Sequence, residues 1–230
     1  MINGKLIGVI IPALNEELSI GGVLDSLPHA FDHIIVVDNG STDATADIAR
    51  NKGARVVFEG KRGYGAACLR GIAELQQSPV DVVLFMDADA SDHPADALQV
   101  ASHVAEALCE FCIGSRVRGN HERGSLTSLQ QLGNWLSTTL IRLLWKVEYS
   151  DLGPLRAVTW RALTDFEMED RTWGWTIEMQ IKAAKMRVAT LEIPVRYRVR
   201  IGNSKISGTI IGAVRAGFKI IVTIVRHAFI

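Results

Sequence analysis

The sharpest chemical signal in the chain is Asp87-Ala88-Asp89-Ala90-Ser91-Asp92-His93-Pro94, directly after the apolar run 82–86. Two carboxylates at i and i+2 of an extended segment project to the same side. They stand at the end of what must be a buried strand, where charge is costly unless paired or bound to a cation. With oxygen and imidazole groups close behind, the set suits Mg²⁺ or Mn²⁺ held partly by the chain and partly by a substrate diphosphate. Asp87 and Asp89 are the expected ligands, with Asp92 or His93 as a third. Such an ion offsets the charge on a departing diphosphate. A carboxylate-pair hydrolase also uses Asp-x-Asp, but it leaves three further motifs without a role.

The first of these is Ile11-Pro12-Ala13-Leu14-Asn15-Glu16-Glu17, where Pro12 is expected to end a strand and polar groups follow. The second, Val36-Val37-Asp38-Asn39-Gly40-Ser41-Thr42-Asp43, sets a carboxylate at a strand end before a Gly-Ser turn. Asp38 there can accept a hydrogen bond from a base or ribose. Alternatively Asp38 and Ser41 cap the next helix, for which Ser41 and Thr42 are the cap candidates. The third is Gly60-Lys61-Arg62-Gly63-Tyr64-Gly65. Two cations among glycines at a helix start read as an anion site, with phosphate contact from Lys61, Arg62 and Gly63. It is neither a P-loop nor a dinucleotide fingerprint.

The elements that position these groups alternate. Apolar runs at 6–11, 34–37, 56–58 and 82–86 read as strands, and 19–27, 42–52 and 65–75 as helices. That order implies an α/β fold with a mostly parallel central sheet flanked by helices, whose ligands lie beyond the strands' carboxyl ends. All the polar motifs fall there. Further on, a strand at 111–114 precedes a polar stretch at 116–124 and a long helix at 127–147 carrying Trp135 and Trp145. Helices at 160–166 and 175–186 and a strand-like 188–197 follow. The pair Trp173 and Trp175 reads as helix packing rather than a sugar platform. In the helical tail 208–229, Arg215, Lys219 and Arg226 fall within about 40° of one another. This basic stripe suggests a helix lying on a membrane face or packing against a second subunit.

With no repeat or linker, one domain over 1–230 is expected, divided into a nucleotide and metal half (1–120), an acceptor half with a closing loop (121–205) and an amphipathic tail helix (206–230). Lys and Arg number 25 and so do Asp and Glu, for zero net charge. The overall field therefore does not favour nucleic acid. Three cysteines, Cys68, Cys109 and Cys112, form no disulfide framework, and the Cys109-x-x-Cys112 spacing sits inside a strand pattern as small buried hydrophobes. No leader pattern precedes the first strand and no apolar run is long enough to span a bilayer. The expected location is cytoplasmic, with peripheral contact at the inner face of the membrane.

In their order and spacing, Pro-Ala-Leu-Asn-Glu-Glu, Val-Val-Asp-Asn-Gly-Ser-Thr-Asp and Met-Asp-Ala-Asp resemble the family-2 glycosyltransferases of the A-type nucleotide-sugar fold. The resemblance implies a nucleotide-sugar donor, with nucleoside contact at Pro12, Leu14, Glu16 and Asp38, ribose and metal contact at Asp87, and metal contact at Asp89. Ile113-Gly114-Ser115-Arg116, Ser150-Asp151-Leu152-Gly153-Pro154-Leu155-Arg156, Glu178, Glu192-Ile193-Pro194-Val195 and the segment 197–205 resemble the dolichyl- and polyprenyl-phosphate sugar transferases. That branch implies that Arg200 and Lys205 grip the donor phosphates, which stabilises the charge developing as the diphosphate leaves. Arg116 joins them as a donor contact.

The chain departs from that branch where an arginine early in the helix after Gly-Ser-Arg takes the lipid phosphate. Here the stretch 126–135 carries no cation, and Arg116, Arg118 or Arg123 must substitute. The acceptor sets the machinery. A phosphate is already a nucleophile, whereas a hydroxyl needs a base, for which Asp151 and Glu178 are the candidates. Glu169 and Asp170 resemble an acidic pair of other family members but stand wrongly relative to the next helix. The leading expectation is inverting transfer of a hexose to a polyprenyl phosphate; a hydroxyl acceptor is the alternative. A nucleotidyltransferase wants a Gly-rich loop after the first strand, which 12–17 lacks. A non-catalytic nucleotide-sugar-binding module does not explain the Asp87/Asp89 pair together with Arg200 and Lys205.

Overall fold

The computed structural model describes residues 1–78, 80–202 and 210–229. Strands β1 (Ile7–Ala13), β2 (His33–Asp38), β3 (Arg55–Phe58) and β4 (Val82–Phe85) alternate with helices α1 (Ile20–Ser26), α2 (Thr45–Asn51) and α3 (Tyr64–Leu75). Then come α4 (Pro94–Ala105), β5 (Phe111–Ser115), α5 (Ser128–Trp145), β6 (Arg156–Thr159), α6 (Trp160–Asp165), α7 (Trp175–Lys185), β7 (Thr190–Pro194) and α8 (Ile210–Phe229).

The strands form one sheet in the order β3-β2-β1-β4-β6-β5-β7. β1 runs parallel to β2 and β4, β2 to β3, and β5 to β7. Only β6 is reversed, antiparallel to both β4 and β5. The carboxyl ends of β1, β2, β4, β5 and β7 therefore share one edge, and every polar motif is delivered to it. The continuous apolar runs are explained by helices on both faces. Ile7, Val9, Ile11, Leu84 and Met86 pack into one core with α1 and α4, and Ile10, Val83, Phe85 and Phe111 into another with α3 and α7. Alternate side chains of one strand thus feed opposite cores.

Four local expectations are corrected. Pro12 does not end β1, which runs on to Ala13. The ladder with β4 stops at Ile10–Phe85, so Pro12 lies beside β2 alone, where a missing donor is tolerated. Ser41 and Thr42 do not cap α2; it starts at Thr45, and Asp43 accepts from the Thr45 N–H at 3.0 Å. β6 and α4 were not foreseen at all. Two cations of the tail's basic stripe find acids on the protein body: Lys219 pairs with Asp170 at 2.8 Å and Arg226 with Glu169 at 3.0 Å. The side chain of Arg215 lies outside the described residues.

Among the described side chains of α8, Phe218, Val222, Val225 and Phe229 are exposed, beside Arg226. At 100° per residue these four fall within about 60° of one another. α8 packs on α5, which itself exposes Leu129, Leu132, Trp135, Leu136, Leu143 and Leu144. Among the described residues no helix is long and apolar enough to cross a membrane.

Candidate functional site

At the end of β1 the chain takes up a left-handed turn at Asn15 (φ 54°). The Asn15 N–H donates to Ser41 Oγ at 2.9 Å, and the Thr42 N–H to Asn15 Oδ1 at 2.8 Å. This lacing ties the first two motifs together, with Pro12 and Leu14 half-buried along it. Glu16 is buried; its N–H donates to Thr45 Oγ1 at 2.7 Å and Ser19 Oγ donates to its carboxylate at 3.2 Å. Asp38, also buried, accepts from the Ser41 N–H at 2.8 Å and so braces its own turn.

Asn39, unassigned on sequence grounds, is the hub of the next loop. Its amide donates to the carbonyls of Glu59 and Lys61 at 2.9 and 2.8 Å and accepts from the Gly63 N–H at 2.8 Å. Lys61 and Arg62 stay exposed, with the Arg62 guanidinium over Gly40. The helix start itself is closed to an anion. The N–H groups of Gly65 and Ala66 donate to the carbonyls of Thr172 and Arg171 at 3.1 and 2.9 Å. A Cβ at Gly65 would lie 2.0 Å from the Asp170 carbonyl oxygen, so this glycine permits the close approach. The cationic groups this loop leaves open to solvent are the side chains of Lys61 and Arg62.

At the end of β4, Asp89 accepts from Ser91 N–H and Oγ at 3.0 and 2.5 Å, and Asp92 accepts from the Asp87 N–H at 3.1 Å. Burial, then the charges of Asp89 and Asp92, holds the Asp87 carboxyl well above the usual aspartate range. Burial is also the main cause that pushes Asp92 up to about 7. The second Asp92 oxygen is buried without a donor. An excess of buried carboxylate and an orphaned oxygen fit a cation site. Among the described residues no three acidic, His or Cys side chains form a metal cage by themselves. A Mg²⁺ or Mn²⁺ held by Asp87 and Asp89 would draw its remaining ligands from phosphate and water. His93 serves the helix instead, because its Nδ1 accepts from the Ala95 N–H at 3.3 Å and caps α4. In that tautomer Nε2 carries the proton and is no ligand.

A strap after β7 crosses this loop. The N–H groups of Arg198 and Ile201 donate to the carbonyls of Ser91 and Asp89, both at 2.9 Å. Arg200 then reaches two acids at once, Glu16 at 2.6 Å and Asp89 at 3.1 Å. Lys205 lies outside the described residues. Beside the strap, Arg116 forks onto Asp151, its backbone N–H, Nε and Nη2 each donating at 2.8 Å. Burial opposes the Arg116 charge, yet Asp151 raises its pKa above the ordinary arginine value. Tyr197 stacks 5.0 Å below the guanidinium.

The two base candidates are thus both engaged. Asp151 is fully buried under Arg116. Glu178 accepts from the N–H groups of Glu169 and Asp170 at 3.0 and 2.8 Å and pairs with Lys182 at 3.0 Å, which builds the turn before α7. Arg156 is also fully buried and donates to the carbonyl of Thr176 at 2.8 Å and to that of Gly153. Next to the Arg116–Asp151 pair lies a cavity of about 940 Å³, whose lining includes Arg118, Asn134, Trp135, Arg142 and Tyr149. Arg123 does not line it; Arg142, from the last turn of α5, does.

The edge thus combines paired strand-end carboxylates, a bracing turn after β2 and a cationic strap. The model of glycosyl transferase family 2 matches residues 8–192. The chain belongs to that family. It is 31% identical over 216 residues to an uncharacterized glycosyltransferase of Mycobacterium tuberculosis, covering 93% of this chain and 95% of that one. It is 27% identical over 218 residues to the undecaprenyl-phosphate mannosyltransferase of Micrococcus luteus, covering 88% of each. In fold it is similar to glucosyl-3-phosphoglycerate synthase of Mycobacterium tuberculosis, solved with Mn²⁺, UDP-glucose and phosphoglyceric acid. There the TM-score is 0.79 at 24% identity, over 99% of this chain and 81% of that one. This glycosyltransferase has the A-type nucleotide-sugar fold expected from its motifs.

Proposed function

We propose that this glycosyltransferase moves a hexose from a nucleotide-sugar donor to a polyprenyl phosphate, with inversion and with a divalent cation bound. The observation that carries the acceptor is the cavity beside Arg116. Its lining combines two exposed cations, Arg118 and Arg142, with Trp135 of α5, and α5 and α8 both turn apolar side chains outward. A phosphate at the cationic end and an isoprenoid chain along the apolar helices satisfy both halves at once. The expected arginine at the start of α5 is replaced by a capping box between Thr127 and Gln130, and Arg118 and Arg142 take over its charge. The polyprenyl-phosphate substrate named for the Micrococcus relative supports this reading. On it the chain works at a membrane surface.

Donor binding follows the edge of the sheet. Leu14, Glu16 and Asp38 hold the nucleoside, Lys61, Arg62 and Arg200 face the phosphates, and Lys205 completes the grip. Asp87 and Asp89 would hold Mg²⁺ or Mn²⁺, whose charge would offset that of the leaving group. The acceptor oxygen forms its bond to the anomeric carbon as the bond to the donor phosphate breaks. The electron pair leaves with the nucleoside diphosphate. A phosphate acceptor needs no proton removed at neutral pH, which agrees with Asp151 and Glu178 being engaged elsewhere. Asp151 then positions Arg116 and Glu178 holds the turn before α7.

The test is transfer of labelled sugar from UDP-glucose and GDP-mannose, with Mg²⁺ or Mn²⁺, to a short polyprenyl phosphate, followed by organic extraction. Extractable label that disappears with chelator and with Asp89→Ala is the expected result. A second reading, transfer to a hydroxyl of a small phosphorylated metabolite, draws on the phosphoglyceric acid bound by the structural neighbour. Label that stays in the aqueous phase on phosphoglycerate selects it.

A further inference from the structure

Arg200 stands between two acids that the donor site needs. One terminal nitrogen is 2.6 Å from a Glu16 oxygen and the other 3.1 Å from an Asp89 oxygen. Both acids are more than nine-tenths buried, whereas the arginine side chain keeps 28% of its surface open to solvent. Its Nε is buried and finds no acceptor. The backbone on which it rides is zipped to the acidic loop at Arg198 and Ile201, and the Val199 N–H donates to Glu122 at 2.8 Å. Gly202 follows in the left-handed region (φ 82°). The side chain can exchange partners by rotating about its own bonds while the strap stays in place. Asp89 also stands against Asp87 and Asp92, whose charges act on one another, and one Asp92 oxygen is buried without a donor.

We infer that Arg200 is a stand-in cation that couples metal binding to nucleotide binding. This inference rests on the donor reading above and not on the acceptor. In the free protein the guanidinium is paired with Glu16 and Asp89, so a divalent ion arriving alone must displace a bonded arginine from one of its own ligands. A nucleoside diphosphate supplies the missing exchange partner: the guanidinium moves onto phosphate oxygens, and Asp89 is released to the metal. Metal and nucleotide therefore bind with positive cooperativity, and free ion at cellular levels does not fill the site by itself. Because linkage is reciprocal, the metal raises nucleotide affinity by the same factor.

The experiment measures Mn²⁺ binding by electron paramagnetic resonance, with no activity involved, for wild type, Arg200→Gln and Arg200→Lys, each with and without UDP or GDP. In wild type, Mn²⁺ is expected to bind weakly alone and at least about fivefold tighter with nucleotide, within the usual range of site-to-site coupling. Arg200→Gln is expected to bind Mn²⁺ alone at least about fivefold tighter than wild type and to lose most of the nucleotide enhancement. Arg200→Lys keeps the charge but cannot span both acids, and should fall between them, so a glutamine variant that fails to fold leaves the lysine variant to decide. Mn²⁺ affinity without nucleotide that is unchanged in the folded variants overturns the inference while the donor reading stands. No Mn²⁺ binding in wild type even with nucleotide overturns both.

Discussion

Replacing Asp151 separates an ion-pair partner from a proton acceptor. Asp151→Ala is expected to lower stability by about 3–5 kcal/mol, the usual cost of leaving one member of a buried ion pair alone. The geometry places it there. Asp151 is fully buried and receives three bonds of 2.8 Å from Arg116, while the Arg116 side chain is only 14% exposed and cannot turn to water. Asp151→Asn keeps the shape and one acceptor, and should cost roughly 1.5–3 kcal/mol for the lost charge-assisted bonding. Against a typical total of about 5–15 kcal/mol, either loss is large enough to read by urea unfolding. Replacing both partners with apolar residues, Asp151→Leu with Arg116→Met, should cost less than the sum of the single changes. A coupling of about 0.5–3 kcal/mol is expected. Unfolding should be run beside a titration of Mn²⁺ and nucleotide and the transfer assay. An Asp151→Asn protein with wild-type stability and wild-type nucleotide affinity but no transfer would refute this reasoning. It would make Asp151 a base and move the acceptor to a hydroxyl.

Three further expectations follow from the structure. Burial first, and Asp89 and Asp92 after it, raise the Asp87 carboxyl, and Asp92 reaches about 7. An unfolded aspartate titrates near ~3.9, so the fold keeps protons that the unfolded chain releases. The cluster's contribution to stability is whole below that value and is lost as pH rises through about 7. A bound cation favours the ionised form, so Mn²⁺ affinity should climb over the same window, and calorimetry showing a flat profile across it would count against the assignment. Asn39→Ala removes three hydrogen bonds from the loop at 59–63 and should cost about 2–4 kcal/mol at roughly 1 kcal/mol each, with weaker nucleotide binding. Phe218→Ser with Phe229→Ser, both at exposed positions, should leave unfolding unchanged and reduce flotation with anionic vesicles severalfold. Unchanged flotation removes α8 from the membrane surface.

The strands of the first half were legible because their signals are local. The runs that became β1, β2 and β4 are continuous and apolar because both faces are covered, and each ends in the polar residues that reach the edge. β6 was hidden for the opposite reason. It has four residues, begins with the fully buried Arg156, and owes its place between β4 and β5 to pairing with strands distant in sequence. α4 carried a readable start in His93-Pro94, but the metal reading of His93 obscured the capping one. Asn39 offered only a turn signal, and its three bonds reach residues 20 to 24 positions away.

The tail shows how a correct pattern can lead to the wrong contact. The cationic stripe of α8 was real, but periodicity measures which residues share a face and not what that face meets. Glu169 and Asp170, set aside as acids in the wrong place for catalysis, are the partners that Arg226 and Lys219 find. Asp170 also accepts from the N–H groups of Thr172 and Gly174 at 2.7 and 3.2 Å, and the carbonyls of Arg171 and Thr172 close the start of α3. One acidic turn thus joins α3, α7 and α8. With Lys219 and Arg226 paired to this turn, the described part of α8 presents Phe218, Val222, Val225 and Phe229 beside them. Any attraction of this surface to a bilayer therefore rests on burial of apolar side chains, and should persist at salt concentrations that screen exposed charges.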